Sequence, residues 1–281
     1  MTASGRFWLN GQPTEALPVP DRALEFGDGL FETLLLRHSE PVYLELHLQR
    51  LQAGLETLRF PPCIDAARRH ILAACAETTP DAHNPWQALR ITVSRGAGPR
   101  GYTPPVSAQP RFLVALHALE RDALLQLPAA SLGITQMQWS EQPLLAGIKH
   151  LNRLEQVLAC DELSRLGVDE ALMLGQSGQV VSVTAGNLFA VSGGKLVTPV
   201  LDVCGIRGTR RQSIIERWAP ALGIPVIETR LTVADIHSAD EVFFCNSLIG
   251  LRPVDSFQSR EWQRHPVCGA LHAQYRQELA A

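Results

Sequence analysis

The spacing of apolar and polar positions changes several times along the chain, and each change marks an element. Phe7-Trp8-Leu9 followed by Asn10-Gly11 predicts a strand entering a tight turn. The glycines of Phe26-Gly27-Asp28-Gly29 mark a second turn. The run over 30–36 behind them alternates poorly, as a strand buried on both faces does. Leu48, Leu51, Leu55 and Leu58 then recur at helical spacing, with Arg50 just beside the stripe near the helix start, and a second helix is predicted over 64–76. Strands over 88–94 and 112–116 flank a Gly- and Arg-rich loop over 95–102. Residues 118–128 lose strand character and carry charge. That change places a boundary near residue 120, between an N-terminal α/β domain (1–120) and a C-terminal α/β domain (121–281).

The second half opens with a predicted strand over 132–139. Leu151, Leu154, Val157 and Leu158 give a helical stripe that Gly167 ends as a C-cap. Strand-like runs follow over 170–174, 180–184 and 188–191. A helix over 212–218 is then ended or kinked by Pro220. Alternation over 227–231, a polar stretch over 235–240 and a strand over 241–245 complete the pattern. Strands and helices mix without strict βαβ order and without a repeat, so the expected fold class is mixed α/β (α+β) in two domains.

Composition narrows the function classes. A net charge of −3, with no basic run, argues against nucleic acid as a partner, and no apolar stretch reaches membrane-spanning length. The opening residues Met1-Thr2-Ala3-Ser4-Gly5-Arg6 lack the apolar core of a secretory signal. Cysteines 63, 75, 160, 204, 245 and 268 are scattered, without CxxC or metal-ligand spacing, as expected of reduced cytoplasmic thiols. The expectation is a cytoplasmic enzyme without a metal.

Lysine usage changes the picture. Of 25 basic residues only Lys149 and Lys195 are lysines, and Lys195 follows Gly193-Gly194 at a predicted hairpin tip. Lys149 stands between the apolar run Leu144-Leu145-Ala146-Gly147-Ile148 and a helical pattern. An amine can lose its proton and attack a carbonyl, which a guanidinium cannot do; a lysine at a helix start can equally be a snorkelling surface residue. Three features suit a phosphate: Gly208-Thr209-Arg210 at a helix start, Arg50, and Asn246-Ser247 after a strand. Each is also an ordinary turn or surface feature. The loop with Arg95, Arg100 and Tyr102 suits a carboxylate-rich substrate or is a flexible surface loop. A lysine amine combined with a phosphate cradle is what pyridoxal phosphate requires.

Longer motifs add a resemblance. The run 145–158, LAGIKHLNRLEQVL, together with Phe26-Gly27-Asp28-Gly29, Ser94-Arg95-Gly96, Arg100-Gly101-Tyr102, Asp169-Glu170-Ala171-Leu172 and Asn187-Leu188-Phe189, resembles the class IV aminotransferases, the fold-type IV pyridoxal-phosphate enzymes. The lysine run and the Arg-Gly-Tyr loop resemble the lyase branch of that family, which converts 4-amino-4-deoxychorismate to 4-aminobenzoate and pyruvate in folate biosynthesis. The resemblance implies two α/β domains with pyridoxal 5'-phosphate in the cleft between them, and a homodimer. It implies that Lys149 carries the cofactor and moves protons, with Thr33 near the reacting group. Arg50, the backbone of Thr209 and Arg210, and Asn246-Ser247 would hold the phosphate. Arg100, Tyr102 and Phe31 would meet the substrate. A D-amino-acid or branched-chain aminotransferase, or a cofactor-binding protein with weak catalysis, are the alternatives.

One position departs from the family pattern. Five residues before Asn187, where the family carries a glutamate against the cofactor's ring nitrogen, stands Ser182. Serine can hydrogen-bond that nitrogen but cannot neutralise a pyridinium. The resemblance therefore implies a weaker electron sink, one that an aromatising elimination tolerates better than transamination does.

Overall fold

The computed structural model describes residues 5–78 and 84–280; Met1–Ser4, which open the stretch read above for a leader, lie outside them. The chain folds as two compact units. One comprises 1–122 with 148–152, the other 123–147 with 153–281. The sequence reading cut at 120 and assigned the lysine to the second domain, whereas the short segment bearing Lys149 groups with the first unit. The physical reason is main-chain pairing: Phe31 donates its N–H to the Lys149 carbonyl and Leu151 donates to the Gly29 carbonyl, each at 3.0 Å.

The first unit is built on a sheet. Its elements in chain order are β1 (Arg6–Leu9), β2 (Gln12–Pro13), α1 (Arg22–Phe26), β3 (Gly29–Arg37), β4 (Glu40–Pro41), α2 (Leu44–Thr57), α3 (Ile64–Ala76), β5 (Trp86–Ser94) and β6 (Arg111–Ala118). The six strands are ordered β2-β1-β6-β5-β3-β4. Strand β3 is buried along most of its length, with Leu34, Leu35 and Leu36 at 0% exposure, which accounts for its poor alternation. Helix α2 lays Leu48, Leu51 and Leu55 into the core. It comes so close to β3 that a Cβ on Gly54 would lie 2.7 Å from a methyl of Leu30, so a larger residue there would have to push that side chain aside.

The second unit contains β7 (Ala130–Ile134), α4 (Leu154–Leu166), β8 (Glu170–Leu174), β9 (Val180–Val183), β10 (Asn187–Ser192), β11 (Lys195–Pro199), α5 (Thr209–Ser213), α6 (Ala219–Ala221), β12 (Val226–Thr229), α7 (Val233–Ser238), β13 (Glu241–Asn246), β14 (Gly250–Phe257), β15 (Arg260–Glu261) and α8 (Pro266–Ala280). Its sheet runs β12-β11-β10-β13-β14-β7-β8-β9, with β15 on β14. The sheet has to curl. Val183 and Asn187 are four residues apart, so the link from β9 to β10 reaches at most ~14 Å. Those strands lie five places apart in the order, which is ~24 Å in a flat sheet. Side chains from β8, β9, β10, β13 and β14 fill the core, together with Ile236 of α7.

Three local readings are revised. The strand expected over 132–139 stops at Ile134; beyond it the Thr135 N–H still bonds the Leu172 carbonyl, and Trp139 bridges to Gly175. Leu154, Val157 and Leu158, expected to face the core, are 78%, 61% and 53% exposed; the helix turns Ala159 inward instead. Pro220, expected to end or kink its helix, lies inside the helical run, which continues to Ala221. Ahead of it the helix widens into a π-helical stretch, Ile214–Trp218, whose Ala219 N–H reaches back to the Ile214 carbonyl. The wider turn relieves the clash a proline ring makes with the carbonyl four residues earlier. Among the described residues no helix is long and apolar enough to cross a membrane, no group of side chains is suited to a metal ion, and the six cysteines are unbridged.

Candidate active site

In the first unit, the lysine segment lies along the start of β3. An antiparallel bridge between Leu30 and His150 adds to the two main-chain bonds above. The Lys149 ammonium nitrogen lies 4.3 Å from the centre of the Phe31 ring. Thr33 is two residues further along the strand and so projects from the same face as Phe31. In β5, Thr92 pairs with Phe31 and Arg90 with Thr33. The Arg90 guanidinium carbon sits 3.9 Å from the Phe31 ring centre. Two cations over one aromatic ring, beside a threonine hydroxyl, make a surface suited to an anionic ligand. The sequence reading passed over Arg90. The signal was alternation within β5: Leu89, Ile91 and Val93 are fully buried, which leaves Ala88, Arg90 and Thr92 on the opposite face.

Arg50 is held from beneath. Glu32, at 1% exposure, accepts Arg50 Nε at 2.8 Å and Nη2 at 2.5 Å, and its second oxygen also lies 2.6 Å from His47 Nδ1. Burial alone would raise the Glu32 pKa, but the Arg50 charge and the hydrogen bonds from Arg50 and His47 pull it down to about 2. Glu32 faces away from Phe31 and Thr33, on the α2 side of the strand. The arginine is thereby locked in orientation, as a bidentate anion ligand needs. Neither His47 nor Glu32 is among the site residues expected from the sequence.

The 95–102 loop is held by an arginine the sequence reading did not use. Arg22, 3% exposed, donates to the carbonyls of Gly101, Tyr102 and Thr103, while its Nε reaches Asp28 at 2.8 Å. Arg95 donates to the same Asp28 oxygen at 2.8 Å and to the carbonyls of Leu58 and Arg59. Burial opposes the Asp28 charge, yet hydrogen bonds and charge from Arg95 and Arg22 hold its carboxyl below the usual range. Arg95 is thus part of the frame. Arg100 and Tyr102 remain exposed at the loop tip, with the Tyr102 ring 5.4 Å from that of Phe26.

In the second unit, Asn187 shapes the turn before α5. Its Oδ1 accepts Gly208 N–H at 3.0 Å and its Nδ2 donates to the Ile206 carbonyl at 2.8 Å. A Cβ at Gly208 would lie 2.1 Å from that Oδ1. The helical ladder starts with Gln212 N–H on the Gly208 carbonyl, so the amides of Thr209 and Arg210 stand outside it at the positive end of the helix. Buried Arg210 donates to the Ser247 carbonyl at 3.1 Å, which ties this turn to the one after β13. The Asn246 side chain is committed to its own turn, accepting Leu248 and Ile249 N–H and donating to the Ala185 carbonyl. These bonds build the turn that carries Ser247. Ser182 lies buried in β9, where its Oγ accepts the indole N–H of Trp139 at 2.9 Å.

The chain matches the family model for amino-transferase class IV over residues 29–257. It is 34% identical to an aminodeoxychorismate lyase of Vibrio harveyi, over 91% of this chain and 92% of that protein. Its fold superposes on the crystal structure of 4-amino-4-deoxychorismate lyase from Pseudomonas aeruginosa with a TM-score of 0.87 and 40% identity, covering 98% of this chain and 100% of that one. It is also 28% identical to a D-alanine aminotransferase of Listeria monocytogenes over 93% of this chain and 90% of that protein. By the family match and by its likeness to these relatives along nearly its whole length, this chain belongs to the class IV aminotransferase family.

Proposed function

We propose that this chain is a pyridoxal-phosphate-dependent lyase that converts 4-amino-4-deoxychorismate to 4-aminobenzoate and pyruvate. The observation that carries the reading is its likeness, at 40% identity from end to end, to the Pseudomonas aeruginosa lyase. The donor set fits the cofactor. One lysine lies against an aromatic ring, a helix opens with amides outside its ladder, and Ser182 is a buried hydroxyl able to meet a ring nitrogen.

When bound, the cofactor supplies an electron sink conjugated to the substrate's amino nitrogen. The side chains divide the remaining work. Arg50, oriented by Glu32, holds the phosphate together with the amides of Thr209 and Arg210 and with Ser247, on a turn that Asn246 shapes. Lys149 would hold the cofactor through its side-chain nitrogen and would take the proton from the substrate ring carbon that bears nitrogen. Loss of that proton and cleavage of the ring C–O bond make the ring aromatic and release the three-carbon side chain as pyruvate. Thr33 or Lys149 returns a proton to the departing group. Phe31 lines the reacting face, and Arg100 and Tyr102 engage substrate carboxylate. The enzyme works as a homodimer in the cytoplasm; exposed Leu154, Val157 and Leu158 on α4 support a partner surface.

Incubating purified holoenzyme with aminodeoxychorismate should yield 4-aminobenzoate and pyruvate in equal amounts. Amino transfer from D-alanine or a branched-chain amino acid to 2-oxoglutarate, with no 4-aminobenzoate formed, would overturn the reading in favour of an aminotransferase.

A further inference from the structure

Ser182 is 4% exposed and pairs in register with Met173 of β8. Trp139, 5% exposed, packs with Ala159, Met173, Val181, Leu201 and Cys204, and its backbone N–H is held by the Leu174 carbonyl at 2.9 Å. The Arg153 guanidinium carbon lies 5.7 Å from its ring centre. The indole is therefore fixed on several sides. An indole N–H can only donate, so in the 2.9 Å contact Ser182 Oγ is the acceptor and the serine hydrogen must point elsewhere. Among the described residues that hydrogen has no acceptor. A buried donor in this state is paired by whatever acceptor arrives.

Among the described residues, no carboxylate is hydrogen-bonded to the Ser182 hydroxyl, which stands where the family carries a glutamate. Glu170, one strand away, is committed to the turn after β9: one of its oxygens accepts from Ala171 N–H, Thr184 N–H and the Thr184 hydroxyl. The group left to meet a ring nitrogen is a hydroxyl whose polarity Trp139 has already set.

We propose that Trp139 and Ser182 form a relay that presents one hydrogen to the cofactor's ring nitrogen, so that this nitrogen is bound in its uncharged, accepting form. The inference rests on the placement of Ser182 given under Proposed function. Trp139 is a positioning residue, and Ser182 is the group that touches the cofactor. A neutral nitrogen satisfies every group, because the indole donates to Oγ and Oγ donates to the ring. A protonated nitrogen would also donate to Oγ, leaving the serine hydrogen without an acceptor and the ring charge without a counter-ion. Accepting from the indole also strengthens Oγ as a donor.

The test reads the nitrogen itself. Wild-type protein reconstituted with ring-15N pyridoxal phosphate should show one nitrogen resonance in the unprotonated, hydrogen-bonded range, unchanged between pH 8 and pH 6. Ser182→Ala should move the resonance to the unbonded range and weaken cofactor binding by about 2- to 12-fold, the worth of one neutral hydrogen bond. Trp139→Phe frees the hydroxyl to turn, so its nitrogen should titrate within the same pH window. A cofactor analogue with carbon in place of the ring nitrogen provides a check that survives poor folding of the tryptophan variant. Wild type should bind the analogue more weakly than the natural cofactor by the same factor, and Ser182→Ala should bind the two more nearly alike. A protonated nitrogen in the wild type at neutral pH overturns the proposal. So does a wild type that binds both cofactors equally. A nitrogen that responds to Ser182→Ala but not to Trp139→Phe removes Trp139 from the relay. Failure to form 4-aminobenzoate would overturn the lyase reading while leaving these spectra to stand by themselves.

Discussion

Glu32→Gln isolates the ion cluster that orients Arg50. The amide keeps the shape of the carboxyl but removes the charge that balances Arg50 and engages His47. In the fold, the Glu32 pKa is drawn from 4.5 to about 2, so the ionised form contributes roughly 3 kcal/mol at pH 7. Removing one partner of a buried pair costs ~3–5 kcal/mol in general, which agrees. The folded pKa is depressed, so this stability is fully present above 4.5 and is lost as pH falls toward 2. At pH 3, about one unit above the folded pKa, roughly half of it remains. Urea titrations of wild type and variant at pH 7 and pH 3 should therefore differ by ~3 kcal/mol at the first pH and by about half that at the second. Cofactor affinity should fall as well, because Arg50 loses its orienting contact. A variant within ~1 kcal/mol of wild type at pH 7 would refute the reasoning, as would a difference that stays constant with pH.

Other predictions address the remaining groups. Borohydride should fix the cofactor to one peptide of the wild type, and neither Lys149→Ala nor Lys149→Arg should retain a reducible absorbance, since a guanidinium cannot condense with a carbonyl. Arg50→Ala should weaken cofactor binding ~10- to 150-fold through loss of one charge-assisted contact, measured by fluorescence titration; unchanged affinity would remove it from the phosphate site. Arg100→Ala should raise KM for aminodeoxychorismate while leaving cofactor absorbance intact; lost cofactor with normal KM would move Arg100 to the phosphate side. Arg22→Gln should speed hydrogen exchange of amides over 98–103 and raise KM, because three carbonyls of that loop lose their common donor; unchanged exchange would mean the loop is held by something else.

Where one interaction dominated locally, the chain alone was enough to read the structure. The helix over 64–76 follows from its own spacing, and β3 reads as buried because leucines fill both of its faces. Two consecutive glycines with φ of +55° and +75° make the hairpin that carries Lys195, as their sequence suggests. Lys149 stood out because the chain otherwise uses arginine for charge. Helix α8 was missed although Leu271, Tyr275 and Leu279 repeat every four residues and all are buried; its start is capped by Glu241, which lies far back in the chain.

What the sequence by itself determined is the set of chemical groups and the period of each element, because residue identity and spacing are local properties. Only the tertiary structure decided which groups share a partner. Glu32 meets Arg50 across 18 residues, Arg22 meets the Gly101 carbonyl across 79, and Trp139 meets Ser182 across 43. It also decided that Leu154, Val157 and Leu158 face outward, since helical spacing defines a stripe without saying which way the helix is turned. A hydrogen bond or ion pair depends on placement within an ångström, and strand order and the curl of the sheet set that placement over distances that no local pattern encodes.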